Sequence, residues 1–210
     1  MIYCYINYKY LVSIANCYFD ARILQNDLDA LLAWSKFWKL KFNIMKCKCM
    51  SICRKLNVNY VYYLDTAMLD RVESFNDLGI TVTTNFSWFN TIKSISAKAH
   101  SLLGMIKRSI SFDAPSTVKL QLYLSHVRSI LEYCSPLWSP ANVSDILRLE
   151  RVQRHATKYI LNDYTALSYT ERCVKLSILP LCYRREIIDL SLFYKYLHKE
   201  INCDFLVILR

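Results

Sequence analysis

Glycine and proline are scarce in this chain, and their scarcity narrows the folds open to it. Only two of its 210 residues are glycine and four are proline. Tight turns and phosphate-cradling loops need these residues, because glycine tolerates a positive φ and proline fixes φ at about −65°. The inventory leaves no material for a Walker-type or dinucleotide-binding loop. We therefore expect a mostly helical chain.

Residues 125–161 contain two segments of helical periodicity, joined by a break that holds two prolines. Pro136 and Pro140 remove backbone donors and keep the residues before them out of helical geometry. The second segment is amphipathic, with roughly opposite apolar and cationic faces. Its apolar face carries Ile146, Leu149, Val152, Ala156, Tyr159 and Ile160. Its cationic face carries Arg148, Arg151, Arg154 and Lys158.

The same periodicity predicts the remaining elements. Helices are expected at about 20–39, 88–109, 115–133, 143–161, 168–176 and 181–199. Extended pieces are expected within 1–19, near 47–51, near 58–64 and at 78–82, the last preceded by a turn at Asn76-Asp77. A boundary near 84–88 therefore divides the chain into a small α+β part, residues 1–85, and an all-helical part, residues 86–210. The predicted fold class is mainly α.

The chain is basic, and its second part carries most of the excess. There are 27 Lys and Arg against 17 Asp and Glu, a formal net charge of +10. Residues 86–210 hold 17 of the basic and 10 of the acidic groups. A field of this sign favours polyanions such as nucleic acid, or an anionic membrane surface. An ordinary solvated surface is the alternative, so charge alone does not name a partner.

Nine cysteines without a recognisable signal peptide predict reduced thiols and an intracellular, cytoplasmic or nuclear, location. Cys47, Cys49 and Cys53 share one face of a predicted strand, but zinc normally needs a second ligand pair. We expect buried thiols there and no metal site. The apolar start of the chain is interrupted by polar residues, so no membrane span is predicted. The four histidines are far apart in sequence and are expected to be surface or packed side chains.

Several segments resemble reverse transcriptases of non-LTR retrotransposons of the jockey or LINE type. The segments HVRSILEYCSPLWSP and LERVQRHATKYI resemble the thumb region of that family. Phe42, Asn43, Lys46 and Cys47 fit its FNxxKC pattern, motif D. The segment VESFNDLGITV resembles the primer-grip hairpin, motif E, with Leu78 and Gly79 as its hallmark pair. Residues 1–85 would then be the end of a palm, and residues 86–210 a thumb-like bundle with its downstream helices.

The resemblance implies a parent activity, RNA-directed DNA polymerisation with Mg²⁺ and deoxynucleotides. It also shows what this chain lacks. The family carries paired aspartates in an F/Y-A-D-D motif, and at that place the chain reads Tyr5-Ile6-Asn7-Tyr8-Lys9. Two-metal chemistry needs such paired carboxylates. We expect no cofactor and no polymerisation from this chain alone, because its upstream polymerase part is missing. Ser129, where the family often has proline, is a milder departure.

The best candidate site is the cationic face of Arg148, Arg151, Arg154 and Lys158. A thumb follows a template–primer duplex without reading its sequence, so its cations should contact phosphates. A charged outer face on a surface helix is the plain alternative. Weaker candidates for nucleic-acid contact are Lys107, Arg108, Arg184 and Arg185. By resemblance, Lys46 would protonate pyrophosphate; otherwise it is a lysine in a turn. The four tryptophans are expected to pack in the core.

Three functional hypotheses follow. The chain is a reverse transcriptase fragment that retains binding to an RNA/DNA template–primer duplex, a stand-alone basic helical nucleic-acid-binding module, or a co-opted helical module that binds another protein. Duplex binding at two salt concentrations separates the last two. Whether the chain counts as an enzyme stays open.

Overall fold

The structure is a computed structural model that describes residues 2–6, 9–13, 17–52 and 60–201. It separates into two compact units, Met1–Trp88 and Phe89–Arg210. Helices account for most of the described residues, and the strands lie in the first unit. The prediction of a mainly helical chain with a small sheet region is confirmed, whereas the palm and thumb assignments stay predictions.

The first unit is built on one helix and short strands. Helix α1 spans Tyr18–Phe37, and a 3₁₀ turn spans Ile44–Lys46. The strands are β1 Ile2–Ile6, β2 Lys9–Ser13, β3 Lys48–Ser51, β4 Tyr63–Leu64, β5 Ala67–Met68, β6 Asp70–Arg71, β7 Ser74–Asp77 and β8 Ile80–Thr83. Four of them form a sheet in the order β2-β1-β3-β6, in which β1 is antiparallel to both neighbours and β3 is parallel to β6. The pairs β4-β5 and β7-β8 are separate hairpins.

Helix α1 covers the core of this unit. Its N-terminus is fixed by Asp20, whose carboxylate accepts a hydrogen bond from the backbone N–H of Cys17 at 3.1 Å. Its buried residues pack against cysteines just before and within β3 and against the segment around β4; the cluster comprises Ala21, Leu24, Leu28, Cys47, Cys49, Tyr62, Leu64 and Leu69. The expectation of core tryptophans is wrong for Trp34 on this helix and for Trp38 directly after it, which are 41% and 60% exposed. They lie toward its end, beyond the stripe that covers the sheet.

The hairpin β7-β8 corrects the predicted position of a strand. Asp77 pairs with Ile80, so Leu78 and Gly79 form the two-residue turn and are not part of the strand. Both have positive φ, 46° and 88°. This is the requirement of the tight turns whose twist matches that of the paired strands. The turn therefore lies two residues later than the Asn76-Asp77 signal indicated.

The second unit is helical in its described residues. Its elements are α2 Phe89–Ser109, α3 Ser116–Leu122, α4 Ser129–Glu132, α5 Ser135–Trp138, α6 Val143–Leu161, α7 Tyr169–Lys175 and α8 Leu181–Leu197. A π-helical turn, Tyr123–Arg128, makes α3 and α4 one continuous helix. Helices α2 and α6 pack together, and α6 also contacts α3, α7 and α8. No helix among the described residues is both long enough and apolar enough to cross a membrane.

The proline-containing break is itself partly helical. Cys134 turns the chain with φ 56°, and the one-turn helix α5 follows. Pro136 lies in the first turn of α5, where its missing N–H costs no helical hydrogen bond. Trp138 is fully buried and donates from Nε1 to the Tyr133 carbonyl at 2.9 Å. Pro136 thus lies at the start of α5, and Pro140 follows its end.

One lysine of α3 is buried in the second unit. Lys119 is 1% exposed, and its Nζ donates to the Phe112 carbonyl at 2.6 Å and to Asn162 Oδ1 at 2.9 Å. Asn162 ends α6 with φ 52°, and its amide also donates to the Phe112 carbonyl. Lys119 thus joins the start of α3 to the end of α6.

Candidate nucleic-acid interface

Helix α6 places its predicted cationic residues on one side and its apolar residues on the other. Arg151 and Arg154 are exposed, and Arg148 and Lys158 are half-buried. Of the apolar face, Ile146 is half-buried and the others are buried: Leu149, Val152, Ala156, Tyr159 and Ile160. An amphipathic helix that packs its apolar face in the core turns its charged face toward the surface of the unit.

A groove of about 590 Å³ runs beside this face. Arg151, Arg154 and Lys158 line it on α6, and Tyr164 and Tyr169 line it on the opposite wall. Within the described part of the chain no carboxylate lines the groove. The groove is therefore lined by several cationic side chains and by tyrosine side chains. A lining of this kind suits a polyanion.

The opposite wall is fixed by local hydrogen bonds. The Asp163 carboxylate accepts from three successive backbone N–H groups, those of residues 165–167, at 2.9–3.1 Å. These bonds hold the pKa of Asp163 below its usual range. Ser168 then caps α7, because its Oγ accepts from the Glu171 N–H and Glu171 accepts from the Ser168 N–H at 2.6 Å. Hydrogen bonds within residues 163–171 thus fix the conformation of the loop and of the start of α7.

Gln153 connects this wall to the core. Its amide is fully buried on α6. Its Oε1 accepts from the Tyr123 hydroxyl at 2.7 Å, and its Nε2 donates to the Tyr169 hydroxyl and the Leu179 carbonyl, both at 2.9 Å. Burial raises the pKa of Tyr123 and keeps its hydroxyl protonated. One side chain therefore links the π-helical turn, α7 and the segment before α8.

Glu150, one turn earlier on α6, completes the network. Its carboxylate is 4% exposed and accepts from the Tyr169 hydroxyl at 2.5 Å and from the Cys182 N–H at 2.7 Å. Burial and this hydrogen bond raise the pKa of Tyr169, which stays a donor. The Arg154 guanidinium lies over the Tyr169 ring, 4.8 Å from its centroid. Arg154 is therefore positioned by a tyrosine that Glu150 and Gln153 hold in place.

Arg148 is already partly engaged within the chain. Its Nε lies 3.7 Å from Asp145 Oδ1, and its guanidinium lies 5.4 Å from the centroid of the Phe89 ring. A phosphate at this end of the face would share Arg148 with Asp145. The end of the face formed by Arg151, Arg154 and Lys158 is the part beside the groove.

The weaker candidates fall into different environments. Lys107 is half-buried with its Nζ 5.6 Å from the Tyr159 ring centroid, and burial lowers its pKa; Arg108 is exposed. Arg184 forms a two-point ion pair with Glu132, and hydrogen bonding to that carboxylate raises its pKa. Arg185 is 3% exposed, and burial lowers its pKa. Neither Arg184 nor Arg185 lines the groove.

The candidates of the first unit lie in turns. Lys46 is exposed in the 3₁₀ turn, and Leu78 and Gly79 form the β7-β8 turn. Asn7, which stands where the family carries an aspartate, lies outside the described residues. Among the residues that the structure describes, no group of three or more His, Cys, Asp or Glu side chains is placed to hold a metal ion.

Sequence reasoning missed a pair of histidines. His100 on α2 and His155 on α6 lie ring to ring, with centroids 5.5 Å apart. Burial, then the neighbouring cations, lower the pKa of His100, and burial and the partner histidine lower that of His155. His100 follows the buried Ala99, and His155 precedes the buried Ala156, so each histidine flanks the apolar stripe of its helix. That signal becomes useful only once α2 is known to pack on α6.

The chain is similar to the probable RNA-directed DNA polymerase from transposon BS of Drosophila melanogaster, with 25% identity over 155 residues. The match covers 71% of this chain and 17% of that protein. No family model matches the sequence, and no solved structure matches the fold. The similarity supports the predicted relationship to transposon reverse transcriptases.

Proposed function

We propose that this chain is a fragment of a non-LTR retrotransposon reverse transcriptase of the jockey or LINE type, and that it binds a template–primer duplex. Its first unit would be the end of the palm and its second unit the thumb with its downstream helices. The observation that carries the proposal is the cationic face of α6, which lies beside a groove lined by arginine, lysine and tyrosine. The similarity to a transposon polymerase supports the same assignment.

The spacing of the cations suits a phosphate backbone. Arg151 and Lys158, with Arg154 between them, lie seven residues apart on α6. At about 1.5 Å per residue this is roughly 10 Å, a length over which one strand of a duplex presents about three phosphates at about 3.4 Å each along its axis. Contacts of this kind fix the position of a duplex and carry no sequence information. They are what a polymerase that moves along its template requires.

Catalysis in this proposal belongs to the longer parent protein. Two-metal phosphoryl transfer needs paired carboxylates, and these would come from the upstream part of the parent polymerase. Mg²⁺ and deoxynucleotides would bind there. Lys46 would assist only in that setting. Leu78 and Gly79 would supply the primer-grip turn.

A protein-binding role is the second candidate, and one observation favours it. Helix α8 exposes six large apolar residues, and five of them are spaced four and three apart in alternation: Tyr183, Ile187, Leu190, Tyr194 and Leu197. Spacing of this kind places a straight apolar seam along one face of a helix, as in coiled coils. A stand-alone basic module that binds nucleic acid would need only the cationic face of α6. That hypothesis does not account for the apolar seam of α8.

The test is duplex binding by a charge-reversal variant. Anisotropy of a labelled RNA–DNA hybrid would be measured at several salt concentrations for the full chain and for Arg151→Glu/Arg154→Glu. Each lost phosphate contact should lower the slope of log K against log salt by about 0.9, so we expect a decrease of about two together with weaker binding. Preference among duplex sequences should not change.

The matched control is Arg22→Glu/Lys199→Glu, which changes the net charge equally at two exposed positions outside the groove. It should retain most of the affinity and the parent slope. If Arg151→Glu/Arg154→Glu binds as well as the control at low salt, the cationic face is only solvated surface and the proposal fails.

A further inference from the structure

Five basic side chains converge where α2 packs against α6. His100 and Lys107 come from α2, two turns apart. Arg151, His155 and Lys158 come from α6, one turn apart. The imidazole rings of the two histidines lie 5.5 Å apart at an interplanar angle of 55°. Arg151, His155 and Lys158 also line the groove, so this cluster is continuous with the candidate interface.

Burial and then neighbouring basic groups lower the pKa of both histidines in the described part of the chain. The groups that act on His100 are Arg151 and Lys107, and those that act on His155 are His100, Lys107, Lys158 and Arg151. All of them disfavour a second positive charge, and burial acts in the same direction. In the unbound chain both imidazoles are therefore neutral near pH 7.

We infer that His100, Lys107, Arg151, His155 and Lys158 form a seat for one backbone phosphate of a polynucleotide, in which both histidines bind as cations. The inference deepens the proposed function and rests on it, since it assumes that a polynucleotide lies along α6. A phosphate supplies the negative charge that this cluster lacks. Its oxygens accept hydrogen bonds, and protonated imidazoles and the neighbouring cations are the donors around them.

Such a seat makes binding depend on pH. A phosphate beside the imidazoles raises their pKa in the complex above the lowered pKa of the free chain. Binding then takes up protons, and affinity rises as pH falls from the pKa of the complex to that of the free chain. Below the lower pKa the gain is complete, and above the higher pKa it is absent. Each unit by which the pKa of one histidine is higher in the complex than in the free chain corresponds to tenfold in affinity.

The experiment measures affinity of the full chain for a labelled RNA–DNA hybrid from pH 8.0 to pH 5.5 at constant ionic strength. We expect the parent chain to gain at least tenfold. His100→Gln/His155→Gln keeps a neutral N–H donor at both positions but cannot take up a proton. Its affinity at pH 5.5 should therefore exceed its own affinity at pH 8.0 by less than threefold.

The matched control is His126→Gln/His198→Gln, which removes two exposed histidines outside the cluster. This control should gain as much as the parent. A second measurement needs no variant: the imidazole NMR signals of the parent chain should titrate with a higher pKa when the duplex is bound.

The outcomes separate the seat from the function that it refines. A flat profile for the parent chain overturns the seat while duplex binding survives. The same holds for a gain that persists in His100→Gln/His155→Gln, or for imidazole pKa values that the duplex does not raise. If the parent chain binds no duplex at any pH, the proposed function and the seat are both overturned.

Discussion

Removal of the Glu150 carboxylate should destabilise the second unit more than removal of any exposed acid. Glu150 is buried and accepts one hydrogen bond from the Tyr169 hydroxyl and one from the Cys182 N–H. It also supplies negative charge near the buried guanidinium of Arg185. Replacing Glu150 with alanine leaves both donors without their acceptor and leaves that guanidinium less compensated.

The magnitude follows from these contacts. Hydrogen bonds to a charged group contribute about 1.5–3 kcal/mol each, and breaking a buried charged pair costs about 3–5 kcal/mol. We expect Glu150→Ala to lower the free energy of unfolding by about 3–5 kcal/mol, a large share of the roughly 5–15 kcal/mol that a domain has. Glu150→Gln keeps the volume and one acceptor, and should cost about 1–3 kcal/mol.

The assay is urea unfolding followed by far-ultraviolet circular dichroism. The transition of the second unit should shift. Glu186→Gln, at an exposed position of α8, is the matched control and should change stability by less than about 0.5 kcal/mol. A double-mutant cycle of Glu150→Gln with Tyr169→Phe should give a coupling energy of about 1–2 kcal/mol, because the two residues share a hydrogen bond. A loss below 1 kcal/mol in Glu150→Ala, or no coupling in the cycle, would refute the reasoning.

Three further predictions concern stability and activity. Lys119→Met should cost about 2 kcal/mol in urea unfolding, since it removes two buried hydrogen bonds, whereas Lys98→Met at an exposed position should be nearly neutral. The lowered pKa values of His100 and His155 mean that the unfolded chain binds protons more readily, so stability should decline as pH falls below about 6.5, and less so in His100→Gln/His155→Gln. The purified chain, given primed RNA, deoxynucleotides and Mg²⁺ or Mn²⁺, should extend no primer, and template-dependent extension above a blank would contradict this.

The long helices could be predicted from the sequence because their packing is periodic. Leu149, Val152, Ala156 and Ile160 recur at helical spacing, and all four are buried on α6. The predicted span of 143–161 coincides with the observed Val143–Leu161. The cationic side of this helix follows from the same periodicity, because the residues that are not on the apolar face point away from the core.

The remaining features depend on contacts that periodicity does not encode. Gln153 and Glu150 bind groups 16 to 32 residues away along the chain, so nothing near them in sequence identifies their partners. His100 and His155 are far apart in sequence, so the sequence alone does not pair them, yet their helices bring the rings together. The one-turn helix α5 does not follow from a pattern in which proline marks only a helix break, although proline is well tolerated at a helix start.

The π-helical turn between α3 and α4 couples the length of this helix to the direction of its side chains. Lys119, Tyr123, Val127 and Leu131 are buried at steps of four residues. On a uniform α-helix each such step drifts by about 40°, so the row would wander about 120° around the axis. The wider turn at Tyr123–Arg128 winds back part of that drift. Because that turn takes up about one extra residue, deleting one residue within it should restore ordinary winding and leave Lys119 facing Asn162. Deleting a residue of α3 between Lys119 and the turn, with the turn kept, should instead rotate Lys119 about 100° away from Asn162.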